Sequence, residues 1–456
     1  MATHPEWVLR HKIPNTEIRC IRGKYYLYNI TSVWCPEKNR TKKKTLKQVG
    51  VITEEYGLIP TGMSRKGRVP KEESKLKDLP FEETSFMDKF EKLEDPRSER
   101  NKLYTIAEIL LVTFCSIVCG ADGWRDVENY GKSKIAYLKR YLPYKNGAPS
   151  DDTIRRFFRA IDPERFKQIF RDWVKSLVTS IGLKVIAIDG KTSRRSYDSD
   201  GDMLHMVSAF ATEARIVLGQ EKVSSKSNEI TAIPKLLDLL DVKNHIITID
   251  AMGCQYAIAD KIVSKEADYI LALKGNQGTL LNDVEQSFDY KKSRKKCQKY
   301  VNYDKGGGRS ETRKCTVCYD VEDIKANHKN WSTIKSIIKI DSIREMDSKT
   351  TTETRYYISS LDAAPEVVLK AIRSHWSIEN SLHWVLDMSF NEDYSRIRKG
   401  NAPQAMAIMR HIALNLLIQY KPERQSIKGL RKMCSWDDAL LDQIITQKNL
   451  HEAALS

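Results

Sequence analysis

Two short apolar runs in this chain end in the same way: VIAID closes on Asp189 and IITID closes on Asp250. A carboxylate at the mouth of a buried strand can cap the following turn, or it can hold a cation. Two of them at one edge repel unless a cation neutralises them. Hard oxygen ligands suit Mg²⁺ or Mn²⁺. A third acid is then wanted, and Glu379 in SHWSIENSLHWVLD is the best placed. On a helical wheel Ile378, Leu382 and Val385 form the apolar face, and Glu379 stands at its border. Asp387, Glu392 and Asp393 are rivals for that place.

His375 and His383 lie one turn before and after Glu379. A His-Glu-His stripe could bind a softer metal, but it lacks the HExxH spacing and would ask one helix for three ligands. We read the histidines as facing DNA or supporting the acids, with burial and hydrogen bonding as the alternative. Cations surround all three acids. Lys191, Arg194 and Arg195 follow the first; Lys274, Asn276 and Gln277 follow LAL; Arg396, Arg398 and Lys399 follow the long helix. A negative centre ringed by positive side chains fits a phosphodiester gripped on both sides of a reacting phosphate.

These residues must be positioned by a mixed sheet. KVIAID, MLHMVSAFAT and RIVLGQEKV read as a three-strand antiparallel meander, because the connection TEAR is too short for a crossover. ITAIPKLLDLL, NHIITID, AIADKIVSKEA and DYILALKG then alternate helix and strand. In that order the first and fourth strands can be parallel neighbours, so Asp189 and Asp250 share one edge, where ligands bind in open α/β sheets. Residues of about 285–355, opening on the basic tract KKSRKKCQKY, break the alternation and read as an inserted, mainly β domain. Pro365 starts a long helix.

The remainder frames this core of about 183–420. Residues 1–77 read as a small basic β-rich module, with KYYLYNITSVW as a strand, a basic turn and a second strand in RTKKKTLKQVGVIT, and SRKGRVPKEESKLKD as a linker or phosphate-contacting run. Residues 78–182 read as helical. In GAPSDDTIRRFFRAIDP, Ser150 or Asp151 caps a helix bearing Arg155, Arg156 and Arg159, either a helix-turn-helix reading helix or an ordinary amphipathic one. Residues 421–456 form a helical tail.

The 456 residues carry 76 Lys+Arg against 60 Asp+Glu, a formal charge of +16. That favours a polyanionic partner over a small neutral ligand. The run LYTIAEILLVTFCSIVCG is too short to span a membrane and carries Glu108. Nine scattered cysteines suit reduced thiols in a cytoplasm, and the single CxxC of Cys315 and Cys318 lacks the second pair a structural zinc needs.

AIDGKTSRRS, LHMVSAFA, SNEITAIPKLL, TIDAMGCQ, LALKGNQ and SHWSIENSLHWVLDMSFNED occur in this order. Over roughly residues 80–420 the chain resembles the DDE transposases of bacterial insertion sequences, in the H-repeat-associated subgroup. Its first segment resembles the N-terminal region of other insertion-sequence transposases. The resemblance implies an RNase H-like core, two Mg²⁺ ions (Mn²⁺ can substitute) and a triad on Asp189, Asp250 and Glu379. It further implies cutting of element ends and joining of their 3′-hydroxyls to target DNA. The partners it implies are double-stranded DNA and further copies of the chain in a synaptic complex, in a bacterial cytoplasm at the nucleoid with no membrane. A DNA-binding protein that makes no use of catalysis and a simple RNase H-like nuclease are the alternatives.

Overall fold

The computed structural model describes residues 4–21, 24–35, 40–53, 57–60, 93–97, 102–178, 184–197, 201–224, 228–289, 297–306, 308–346, 349–422 and 424–446. The expected linker SRKGRVPKEESKLKD and residues 291–296 of the basic tract lie outside them. The chain divides into two compact units. The smaller takes in residues 1–73, with 301–313 and 342–353; the larger holds the rest.

In the smaller unit, β1 (Thr16–Ile21), β2 (Lys24–Cys35), β3 (Arg40–Thr53) and β4 (Gly57–Pro60) form an antiparallel sheet in sequence order. Val8, Ile18, Leu27 and Ile52 make its small core. β1 pairs with β2 only up to Asn29, and β4 pairs with β3 only from Gly50 on. The remainder of β2 and β3, Ile30–Cys35 against Arg40–Thr45, is a two-stranded ribbon with bulges at its base. Each bulge adds twist.

The larger unit begins with helices. α1 (Ile106–Val118) starts at a Thr105/Glu108 capping box, which explains the acid in an otherwise apolar run. Glu108 also accepts the Tyr144 backbone N–H at 2.6 Å. α2 (Asp151–Ala160) is capped by Ser150 and buries Ile154, Phe157 and Phe158, while Arg155 and Arg156 turn back to Asp152 of the same helix.

The sheet that follows has nine strands in the order β10-β11-β12-β13-β9-β8-β5-β6-β7. β5 (Val185–Ser193), β6 (Leu204–Ala211) and β7 (Ile216–Lys222) are the antiparallel meander. α3 (Glu229–Asp238) crosses to β8 (Ile246–Ile249), which pairs with β5 in parallel; α4 (Tyr256–Ser264) leads to β9 (Asp268–Leu273), parallel to β8. Ile186, Ala187 and Ile188 are wholly buried. That continuous run is what a strand covered on both faces requires. The segment of about 285–355, expected as an inserted, mainly β domain, supplies β10 (Cys297–Gly306), β11 (Arg309–Cys318), β12 (Ser336–Met346) and β13 (Lys349–Ser359), and these strands continue the sheet, with β13 antiparallel to β9. The sheet can grow there because β9 would otherwise be an open edge.

α5 (Pro365–Ile378) packs on β5 and β8 and runs through a π-turn, Glu379–His383, into α6 (Trp384–Phe390). α7 (Ala402–Tyr420) is buried nearly all round. Its Asn415 amide bonds both to the N–H and to the carbonyl of Val217, at the bulge between β6 and β7.

The cysteines depart from the all-thiol expectation. Cys318 is joined to Cys297 by a disulfide, so the CxxC is not a zinc pair. Cys315 is a buried free thiol whose pKa burial pushes up to about 12.

Candidate active site

Asp189 lies in β5 beside Gly190, and Asp250 immediately follows β8. Because β5 and β8 are parallel neighbours paired up to Ile188 and Ile249, the two acids stand side by side where that pairing ends; β5 does not stop at Asp189 as its apolar run suggested, but continues to Ser193 against β6. α5 crosses these strands, and the π-turn after it brings Glu379 close to Asp189, with carboxylate oxygens of the two within 4.8 Å. His383 Nδ1 is 3.6 Å from Asp189 Oδ2 and 3.7 Å from Glu379 Oε2. Among the described residues, Asp189, Glu379 and His383 are the group whose ligand atoms all lie within 4.8 Å of one another. Asp250 stands outside that group.

The electrostatics follow. Burial, then the neighbouring Glu379, raise the Asp189 pKa, while His383 lowers that of Glu379. Two carboxylates this close keep one proton between them unless a cation replaces it. Carboxylate oxygens with one imidazole form a donor set that fits a hard divalent ion. Burial also raises the Asp250 pKa, opposed by the Gly253 N–H and reinforced by Glu229. Asp250 Oδ1 accepts the backbone N–H groups of Met252 at 3.0 Å and Gly253 at 3.3 Å, so this aspartate does cap its turn.

The histidines turn inward rather than toward DNA. His383 is 6 % exposed and, with Ser208, Gln220 and His411, lines a cavity of about 10 Å³. His375 Nδ1 meets Thr248 Oγ1 at 3.0 Å, and burial lowers its pKa to about 4, so the ring is neutral. Lys191 is likewise not presented to a phosphate. Its Nζ lies 2.7 Å from Asp387 and 3.2 Å from Asp393. Burial alone would lower the lysine pKa, but the Asp387 bond holds it above its usual value. Glu392 faces Arg410 at 3.5 Å. The three rival acids are thus committed to cations, and Glu379 is the one beside Asp189.

The other expected DNA contacts divide in two. Asn276 Nδ2 donates to the Ala251 carbonyl at 2.7 Å and Gln277 Nε2 to the Cys254 carbonyl at 3.0 Å. Both hold the loop after Asp250, Asn276 from an exposed position and Gln277 from a half-buried one. Lys274, Arg194 and Arg396 are exposed, with Arg194 leaning on Asp393 at 3.4 Å. Arg156 is exposed and Arg155 half-buried, both paired with Asp152. Arg195 lies over the Tyr394 ring and Arg398 over that of Tyr197.

Sequence reasoning missed a second layer. Glu229, at the start of α3, accepts or shares a proton with His205 Nε2 at 2.9 Å, and His205 Nδ1 meets Thr192 Oγ1 at 2.9 Å. The Glu229 carboxylate lies in the space where a side chain on Gly190 would stand. The π-turn was also missed, although it left a signal. Ile378, Leu382, Leu386 and Phe390 are all buried at a constant spacing of four. In an α-helix that spacing drifts by about 40° per step. One wide turn takes up the drift, and such turns gather at functional sites.

The strand order β7-β6-β5-β8-β9, with β5 and β8 as central parallel neighbours and α5 packed across them, is that of an RNase H-like fold. The chain belongs to the DDE transposase family: the family model described as "Transposase DDE domain" matches residues 181–416, and the DDE_Tnp_1-associated model matches residues 87–174. Similar proteins include the putative transposase YncI of Escherichia coli O157:H7, 40% identical over 79% of this chain and 94% of that protein. The H repeat-associated putative transposase YhhI of Escherichia coli K12 is 39% identical over 76% and 94%. A chain of the cryo-EM structure of the piggyBac transposase synaptic complex with hairpin DNA aligns over 82% of this chain and 80% of that one. Its 11% identity and TM-score of 0.37 are too remote to bear on function. Membership of the family makes this a DDE-type transposase and implies use of a divalent metal. No helix among the described residues is long and apolar enough to cross a membrane.

Proposed function

We propose that this transposase cuts the ends of its element and joins the freed 3′-hydroxyls to target DNA, using two Mg²⁺ ions, with Mn²⁺ as a substitute. The observation that carries this reading is the Asp189–Glu379 carboxyl pair on β5, just past its last pairing with β8 and one strand from Asp250. Asp189, Asp250 and Glu379 would hold the ions. Bound there, divalent ions supply Lewis-acid stabilisation of the phosphoryl oxygens and lower the pKa of the attacking water or hydroxyl.

The chain's own groups fix the geometry. His383 Nδ1 stands within 3.7 Å of both Asp189 and Glu379. The Met252 and Gly253 amides hold Oδ1 of Asp250, which leaves Oδ2 for a ligand. Arg194, Lys274, Arg396 and Arg156 are the exposed cations that would grip the flanking phosphates. In the first step water attacks phosphorus and the 3′-oxygen leaves as a hydroxyl. In the second, that hydroxyl attacks a target phosphodiester and displaces its 3′-oxygen. Two ends joined together call for more than one subunit.

The test is a duplex carrying the element's ends, incubated with Mg²⁺ and target DNA. Wild type should cut and join. Asp189→Asn and Glu379→Gln should each lower the rate by roughly a thousandfold, while binding to the same duplex in EDTA persists. Cutting by either variant at the wild-type rate would sink the assignment; cutting without joining would leave a simple nuclease.

A further inference from the structure

The ribbon of β2 and β3 lies outside both family matches, which begin at residue 87. We infer that it is a DNA-docking element that enters the major groove of a duplex. The inference takes from the functional reading only that DNA is the substrate.

Beyond β1 and β4 the ribbon is two strands wide and six residues long, Ile30–Cys35 against Arg40–Thr45. At the usual rise it reaches roughly 20 Å. Strands about 4.8 Å apart, with side chains on each side, give a width that the ~12 Å major groove admits. Lys43 and Lys44 are exposed, and Lys47 is exposed at the ribbon's base. Successive residues of a strand point to opposite faces. Lys43 and Lys44 therefore charge both faces of the ribbon. A flat anionic surface such as a lipid headgroup layer would engage one face only. A groove places a phosphate wall on each side and uses both. Opposite the lysines, Thr31, Ser32 and Val33 are exposed, pairing with Lys44, Lys43 and residue 42. Small hydroxyl and methyl side chains are the kind that meet base edges. Val33 is 45 % exposed, an apolar cost on a free surface that contact with thymine methyl groups would remove.

The experiment uses the full chain with Asp189→Asn, in EDTA, so that cleavage plays no part. A labelled mixed-sequence duplex of roughly 20 base pairs is titrated by anisotropy at several salt concentrations. Replacing Lys43 and Lys44 together by Gln should flatten the slope of log K against log salt by about 1.8, at ~0.9 for each phosphate that is no longer neutralised. Between roughly 50 and 200 mM salt, wild-type binding should thus weaken about twelvefold more than that of the variant. Methyl green, which fills the major groove, should weaken wild-type binding and leave the variant's residual binding less affected; distamycin, in the minor groove, should not compete with the ribbon. Both lysines are exposed, so the variant is expected to fold, and an unchanged melting curve checks that.

An unchanged salt slope in the variant overturns the inference, as does competition by distamycin instead of methyl green. So does retained duplex binding together with lost binding to phosphatidylserine vesicles, which would assign the ribbon to a membrane. If the ribbon result holds while Asp189→Asn still cuts DNA with Mg²⁺, the catalytic assignment fails and this one stands.

Discussion

Gly190 stands next to Asp189, and the Glu229 carboxylate fills the space where its side chain would be. A Cβ there would collide with Oε1 and Cδ of Glu229 and come within 2.7 Å of His205 Nε2. The obstructing atoms belong to side chains, so Glu229 can swing away. It can do so only by leaving His205, at a side-chain exposure of 12% for Glu229. A hydrogen bond to a charged group is worth about 1.5–3 kcal/mol. Gly190→Ala should therefore destabilise the larger unit by about 2 kcal/mol. Glu229→Ala gives up the same bond and should cost about as much. The double variant Gly190→Ala/Glu229→Ala should cost no more than either single change, because the added methyl then occupies the space the carboxylate left and the His205 ring, no longer tied to Glu229, can draw back from it. That is a coupling of about 2 kcal/mol between adjacent sites. Urea unfolding of the four proteins without metal, followed by tryptophan fluorescence, measures it. Additive losses, or a Gly190→Ala protein as stable as wild type, would refute the reasoning.

Lys191→Met should cost about 3–5 kcal/mol in the same assay, since it strands Asp387 and Asp393 around a lysine only 11% exposed. Arg194→Gln, at an 82% exposed side chain, should cost at most about 1 kcal/mol. Burial lowers the His411 pKa to about 3 and that of His375 to about 4, so both are neutral when folded and charge on unfolding below their ordinary pKa of 6.5. The unfolded chain then binds more protons, and stability should fall as pH drops from 6.5 toward 4, by up to about 1.4 kcal/mol per pH unit for each histidine. His411→Leu should reduce that slope by one proton, read from unfolding midpoints across the window. Asn276→Ala frees the Ala251 carbonyl and loosens the turn that Asp250 caps; strand cleavage should slow by roughly tenfold with little change in duplex affinity, measured by single-turnover kinetics beside anisotropy.

The acids were legible because their signal is local. An apolar run that ends on Asp, twice, marks where a strand loses its cover on both faces (β8 stops before Asp250, while β5 runs on to Ser193), and the helix–strand alternation between them sets β5 beside β8. The cations misled for the opposite reason. Lys191 stands in a basic turn, and nothing near it in the chain says that Asp387 and Asp393, some 200 residues on, will enclose it. Asn276 and Gln277 look like loop residues offered to solvent, yet their amides are used by the carbonyls of a loop 23 to 25 residues earlier. The same distance hid the Glu229–His205 pair and the disulfide from Cys297 to Cys318. The far strands were readable as β, but which edge they would join depends on β9 lacking a neighbour, and no single segment records that.

The π-turn has one further consequence. It holds one residue more than a regular helix would need, so the segment acts as a gauge of its own length. Deleting Ser381 would allow an unbroken α-helix, a more ordinary backbone than the present one. It would also rotate everything beyond by about 100°. Either Leu386 and Phe390 keep the core and Glu379 swings off Asp189, or the acid stays and the core opens. This stretch should therefore accept substitutions far more readily than any change in length.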